Sequence, residues 1–116
     1  MKVQNCKEIE ETEVTTEGAQ DARMRLLISE KDGAEKFAMR MFTVEPGGHT
    51  PYHAHNYEHE VFVLEGQGLL KGEEREYRFG QGAVIFIKPN EKHQFSNVGS
   101  GPMTFLCLIP AIEQCT

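Results

Sequence analysis

Short runs of β-prone residues, separated by turn residues about every ten positions, constrain the fold of this chain most. Val, Ile, Phe and Tyr are concentrated in these runs, Gly, Pro and Asn lie between them, and no stretch shows the period of an amphipathic helix. The pattern predicts an all-β protein with little or no helix. The predicted strands cover residues 23–29, 37–44, 53–55, 59–65, 69–71, 76–79, 83–87, 93–97 and 103–109.

Turn residues connect these strands. Residues 31–33 and 71–74 each offer a glycine for a positive φ, and residues 46–48 and 88–90 contain a proline suited to a tight turn. Short strands joined by tight turns favour an antiparallel sandwich or barrel. Residues 1–20 carry many Glu and Thr and little apolar content, so they form either a frayed arm or an edge strand, and both alternatives stay open.

Length and charge limit the architecture and the partners. The 116 residues are enough for one domain, residues 1–116, with the core barrel over about 23–110. The formal net charge is −6 and the 12 Lys and Arg residues are scattered, which argues against binding to nucleic acid or an anionic membrane. We therefore expect a small-molecule ligand.

The cysteines and the N-terminal residues indicate the cellular compartment of the protein. Cys6, Cys107 and Cys115 match no zinc pattern and no disulfide framework. Residues 1–14 are charged and lack the apolar core of a signal peptide, and no apolar run approaches the length of a membrane span. These features predict a cytoplasmic protein.

Histidines form the strongest functional pattern. His49, His53, His55 and His59 lie within eleven consecutive residues, and His93 follows downstream. On a strand, side chains two positions apart share a face, so His53 and His55 are predicted to point together at one metal ion. His59 and His93, on other strands, would complete four nitrogen ligands. His49 lies in the loop before the strand and is predicted to be a solvated residue.

The same region resembles the two motifs of the cupin family. Residues 47–66 resemble the first motif, G-x5-H-x-H-x3,4-E-x6-G. Gly82, Pro89, His93 and Asn97 are similar to the second, although one extra residue precedes Pro89 and Glu91 stands where the motif has glycine. The resemblance implies an antiparallel jelly-roll β-barrel with a metal ion inside, and a homodimer formed by pairing of edge strands.

The motif's glutamate ligand corresponds either to Glu60, at the four-residue spacing, or to a position taken by His59, at the three-residue spacing. Six residues separate His59 from Gly66, as the motif requires, so His59 takes the ligand position and Glu60 is predicted to face the opposite way. The site then resembles that of four-histidine cupins. One divalent transition metal ion is expected, Mn, Fe, Ni, Cu or Zn, with Mn or Fe favoured by the resemblance.

Alternation along the strands predicts an apolar pocket around this ion, lined by Val61, Val63, Phe95, Phe105 and Cys107. Four protein ligands leave open positions on an octahedral ion. The first functional hypothesis is therefore a metal-dependent oxidoreductase of dioxygenase type, acting on a small apolar or aromatic molecule with dioxygen or peroxide.

Two other functions stay open. A cupin isomerase or lyase would use the ion to polarise a carbonyl or hydroxyl, but the ligand faces offer no general base. A non-catalytic module would bind a metal or a small molecule as a sensor, because a fold does not fix a function. Two roles stay open for Cys107, an inert buried thiol and a group near the metal, and the sequence favours neither.

Overall fold

The computed structural model describes residues 1–111, and almost all of its regular structure is β-strand. Two short 3-10 helices, Cys6–Glu8 and Glu30–Asp32, are the helical elements of this range. The described strands are β1 (Glu11–Glu13), β2 (Gln20–Ile28), β3 (Phe37–His49), β4 (His59–Glu65), β5 (Gly68–Lys71), β6 (Glu76–Phe79), β7 (Val84–Ile87), β8 (Gln94–Asn97) and β9 (Met103–Pro110). The predicted all-β class is confirmed.

All strand pairs are antiparallel and belong to one curled sheet. Its order is β6-β5-β8-β3-β9-β4-β7, with β2 paired to β3 and β1 to β2. Phe37–Val44 of β3 pair with β9, whereas His49 at its end pairs with Ser96 of β8. The long β3 therefore joins the two halves of the sheet, which curls as a jelly roll, as predicted.

The core lies on the concave face and follows the two-residue period of the strands. On β4, His59, Val61 and Val63 are buried while Glu60 and Phe62 are exposed. On β9, the buried face is Met103, Phe105, Cys107 and Ile109. The thiol of Cys107 therefore lies on the inward face of β9.

Two local predictions are wrong. Residues 46–48 do not form a turn but lie within β3, which extends to His49. The pairing with β2 is irregular between Val44 and His49, where Gly47 has a positive φ of 84°. At Gly48, a Cβ would lie 2.6 Å from the carbonyl oxygen of Gln20, so the missing side chain lets β2 approach. His49 is consequently a half-buried strand residue, paired with Gln20 and Ser96, and not part of a solvated loop.

The predicted strand at residues 53–55 is also absent. His53 forms an isolated antiparallel bridge with His93, and His55 lies outside any strand. The two rings nevertheless lie together, with 4.2 Å between their centroids. His53 and His55 therefore lie together as predicted, but they do not belong to one strand, as the prediction assumed.

The N-terminal residues contribute an edge strand. Glu11–Glu13 of β1 pair with Arg23, Met24 and Arg25 of β2, and Arg23 forms ion pairs with Glu11 at 3.1 Å and with Glu45 at 2.6 Å. No helix among residues 1–111 is long and apolar enough to span a bilayer. Cys115 falls outside the described residues.

Candidate metal centre

Four histidine rings meet inside the curled sheet. His53 lies 4.2 Å from His55 and 5.2 Å from His93, measured between ring centroids. His59 lies 5.3 Å from His55 and 4.9 Å from His93. These are the four predicted metal ligands, and segments far apart in the sequence bring them together.

Backbone hydrogen bonds fix the segments that carry the rings. The amide of His53 donates to the carbonyl of His93 at 3.1 Å, and the amide of His93 donates back at 2.9 Å. Thr50 is bound to Phe95 in the same way, since its amide donates to the Phe95 carbonyl and its hydroxyl accepts from the Phe95 amide, both at 2.9 Å. The His53 loop is therefore held against β8.

Two contacts orient individual rings. Nδ1 of His93 lies 2.9 Å from the carbonyl oxygen of Glu91, so Nδ1 carries the proton and Nε2 keeps its lone pair. The ring of His55 stacks on the ring of buried Tyr57 at 4.9 Å, with 12° between their planes. Sequence reasoning assigned no role to Tyr57, which here supports one of the four histidines.

The environment keeps the four imidazoles neutral. Burial, followed by the charges of neighbouring histidines and Arg40, lowers the pKa of His53 to about 4. The same effects lower the pKa of His59 to about 3. Burial also lowers the pKa of His55 and of His93, the latter opposed by the Glu91 carbonyl. Neutral imidazole is the form that binds metal ions.

The donor set fits a divalent transition metal ion. Nε2 of His53 and Nε2 of His55 are 3.2 Å apart, and two nitrogens bound side by side to one ion at about 2.1 Å are separated by roughly 3 Å. Nδ1 of His59 is buried without a hydrogen-bond partner, which is costly unless something else satisfies it. As the side chains stand, however, no group of three His, Cys, Asp or Glu within residues 1–111 has a metal-binding arrangement, so binding requires the rings to rotate.

The histidines line a narrow cavity of about 50 Å³. Of the predicted lining residues, Phe95, Phe105 and Cys107 surround it, and the rings of Phe95 and Phe105 stack at 4.6 Å. Val61 and Val63 are buried in the core but do not belong to this lining. They share the inward face with His59, but they lie further along β4, where they pack into the hydrophobic core.

Arg40 is the main residue that sequence reasoning missed. It lines the cavity together with the four histidines and is only 4% exposed, so the predicted apolar cavity in fact contains a guanidinium group. Alternation along β3 could have shown that Arg40 shares the inward face with Ala38 and Val44, but not that this face encloses the histidines. Val14, next to β1, also lines the cavity, which gives the N-terminal residues a place at the site.

A larger cavity of about 400 Å³ lies between β6 and β7. His93 lines both cavities, whereas the other residues of the larger one come from the β5–β6 hairpin, β7 and residues 91–92. Small-molecule sites commonly have volumes of about 300–1,000 Å³. The larger cavity has room for a ligand, whereas the smaller one is lined by all four clustered histidines.

Comparison with known sequences gives two matches. Residues 40–109 match the Cupin domain family. Over 65 residues the chain is 32% identical to an uncharacterised protein of Methanocaldococcus jannaschii, an alignment covering 55% of this chain and 52% of that protein. The chain thus spans about half the length of this curated relative.

Solved structures give closely similar folds. A polyketide cyclase from Streptomyces resistomycificus has a TM-score of 0.90 and 35% identity, covering 96% of this chain and 80% of that one. A Thermotoga maritima protein described as a predicted oxalate decarboxylase has a TM-score of 0.86 with 22% identity, covering 95% and 99% of the two chains, a likeness of fold alone. Because the family match spans more than half of the sequence and the folds agree, this chain belongs to the cupin family.

Proposed function

We propose that the protein is a metal-dependent enzyme that acts on a small molecule at a single divalent transition metal ion held by His53, His55, His59 and His93. The observation that carries this proposal is the meeting of four imidazole rings in one cavity, with neighbouring ring centroids 4.2–5.3 Å apart. A packing role alone would not require four histidines, since buried polar rings are costly unless they are satisfied.

The ion would supply Lewis acidity, and with a redox-active metal also electron transfer. The histidines bind it as neutral ligands, so the protein cancels none of its charge. Phe95 and Phe105 form a stacked apolar wall that limits water at the centre. Glu91 and Tyr57 hold two of the rings in position through the contacts described above.

For the reaction, we favour polarisation of a substrate carbonyl, as in cyclisation or isomerisation of a keto compound. The support is the 35% identity to a polyketide cyclase over nearly the whole chain. A guanidinium in the cavity also suits a substrate that develops negative charge on oxygen. The dioxygenase-type oxidoreductase remains the second candidate, supported by an all-nitrogen donor set that accommodates iron, manganese and copper.

The two candidates differ in their need for dioxygen. Metal-loaded protein would be incubated with a synthetic poly-β-ketone ester, with and without air, while products are identified by mass spectrometry and oxygen uptake is recorded. Carbonyl chemistry predicts products isomeric with the substrate, or lighter by water, at equal rates with and without air. Stoichiometric oxygen uptake would favour the oxidoreductase, and turnover that survives His59→Ala would contradict both.

A sensor function would give a different result. A binding module would take up the metal and alter its stability without any turnover of the keto ester or consumption of oxygen. No feature of residues 1–111 favours a sensor function over catalysis.

A further inference from the structure

We propose that Arg40 binds an anionic oxygen of the ligand, so that the cavity selects organic oxyanions, namely a carboxylate, an enolate or a phenolate. The inference deepens the proposed function and rests on it for the metal ion, but the role of Arg40 can be tested separately. It names the class of ligand, which neither the histidine cluster nor the family match specifies.

Arg40 is a buried cation without a counter-charge among residues 1–111. The side chain is 4% exposed, and none of the ion pairs found among residues 1–111 includes it. Its Nη2 donates to Sγ of Cys107 at 3.1 Å, and its Nε is buried with no hydrogen-bond partner. The guanidinium carbon lies 5.0 Å from the centre of the Phe42 ring. An unpaired buried charge of this kind is strongly unfavourable unless a ligand pairs with it.

Cys107 does not supply the missing negative charge. Its thiol is buried, and burial raises its pKa even though Arg40 opposes that effect. The sulfur is therefore a weak, neutral hydrogen-bond acceptor. The contact orients one end of the guanidinium and leaves its charge uncompensated.

Metal binding would increase the excess of positive charge. Four neutral imidazoles cancel none of the charge of a divalent ion, and Arg40 lines the same cavity with no carboxylate paired to it. Net positive charge in a low-dielectric cavity favours an anion as the next occupant. Guanidinium is suited to this role because its donors match the geometry of carboxylate-type oxygens.

The size of the cavity limits which part of the ligand binds there. About 50 Å³ is enough for a small group of atoms and not for a whole substrate. The anionic head group would therefore lie between Arg40 and the histidines, while the body of the molecule lies outside this cavity.

The test uses a minimal anion. Zinc-loaded protein would be titrated with ¹³C-labelled acetate, and the dissociation constant read by NMR, with neutral acetamide as the matched ligand at the same ionic strength. Zinc content would be measured for each variant. We expect acetate to bind and acetamide not to bind, and Arg40→Met to weaken acetate binding at least tenfold while zinc content stays equal. Arg40→Lys should retain part of the affinity.

Two control variants test whether acetate binding depends specifically on Arg40. Arg78 lines the larger cavity and is exposed, so Arg78→Met should leave acetate binding unchanged. Cys107→Ser removes any thiolate but keeps an acceptor for the Arg40 guanidinium, so the variant should still bind acetate. Acetate binding that is insensitive to Arg40→Met, or that appears only in Cys107→Ser, would overturn the proposal. If Arg40→Met fails to fold, a melting temperature of the wild type that rises equally with acetate and acetamide overturns it as well.

The same series separates this inference from the proposed function. If the wild type takes up no zinc, the proposed function fails. Metal-free wild-type protein should then still bind acetate more tightly than metal-free Arg40→Met. If zinc is bound but acetate affinity does not depend on Arg40, the metal centre stands and this inference fails.

Discussion

His59 and Glu60 are neighbours in sequence with opposite environments, and this difference tests the proposed ligand set. His59 is buried beside the other histidines, while Glu60 is exposed on the outer face of β4. We predict that His59→Ala lowers the metal content of the purified protein at least tenfold, because loss of one of four ligands removes much of the binding free energy. Metal per chain would be measured by mass spectrometry.

Glu60→Ala is the matched control and should keep wild-type metal content. The reverse outcome, with metal lost in Glu60→Ala and kept in His59→Ala, would show that Glu60 is the ligand. That result would also contradict the orientation of β4 in the fold.

The pH dependence of stability follows from the lowered histidine pKa values. Folded His53 and His59 have pKa values of about 4 and about 3, below the ordinary value of 6.5. Between these values the unfolded chain binds protons that the folded chain does not, so the free energy of unfolding falls as pH decreases. We predict that the melting temperature of metal-free protein declines from pH 6.5 toward pH 4.5 and is level above pH 7.5.

Thermal unfolding followed by circular dichroism between pH 4.5 and 8 would measure this effect. His59→Gln, which removes one of the titrating rings, should show a shallower decline. A melting temperature that stays constant across the whole range would contradict the neutral, buried state of the cluster.

Some residues of the site could be predicted from the sequence and others could not. His53, His55, His59 and His93 stand out because histidine is rare and four residues at motif spacing are unlike a random surface. Arg40 has no such signal of its own, since a single arginine in a strand is usually exposed. Arg40 can be assigned to the site only if its side chain points inward from β3 and if the strands that enclose that face are known. The pattern of β3 indicates the first, but the second requires the three-dimensional structure.

At the scale of elements, the end of β4 depends on Gly66. Its φ is +91°, and a Cβ there would lie 2.5 Å from the carbonyl oxygen of Pro102 and 2.7 Å from Cα of Met103. Both conditions require glycine. We predict that Gly66→Ala destabilises the protein by about 2 kcal/mol or more, as measured by urea unfolding.

Gly101→Ala is the matched substitution. A Cβ at Gly101 meets no atom within 4 Å, so this change should alter stability by less than about 0.5 kcal/mol. Equal effects of the two substitutions would contradict the close approach of the β4 end to β9.

The elements also show where sequence reasoning fails. β4, β6 and β9 were predicted nearly to the residue because each is a run of β-prone residues bounded by turn residues. The end of β3 was missed because Pro46 and two glycines normally indicate a turn. In the folded protein Gly48 lets β2 approach closely, an effect that comes from a partner strand and is not encoded in local propensity.

At the scale of the whole molecule, β7 is an edge of the described sheet with an apolar outer surface. Val84 is 78% exposed, Phe86 55% and the neighbouring Phe62 43%. Exposed apolar edge strands tend to pair with another chain. We propose that a second copy of this chain pairs with β7, which would give the homodimer expected from the cupin resemblance.

The prediction is that the wild type sediments as a dimer in analytical ultracentrifugation and that Phe86→Lys sediments as a monomer. Lys at an exposed edge disfavours pairing between strands. Tyr77→Lys changes an exposed aromatic residue that lines the larger cavity together with Phe86 but belongs to β6, so it should leave pairing through β7 intact. A dimer that persists in Phe86→Lys but dissociates in Tyr77→Lys would place the interface elsewhere.

The proposed function depends most on one divalent ion bound by four imidazoles inside the jelly roll. A crystal structure of the protein purified with its own metal, with anomalous data collected on both sides of the metal absorption edge, tests this directly. We predict one anomalous peak within about 2.3 Å of a ring nitrogen of each of His53, His55, His59 and His93. A well-ordered cavity without a peak, or a peak bound by other residues, would contradict the metal centre and the function derived from it.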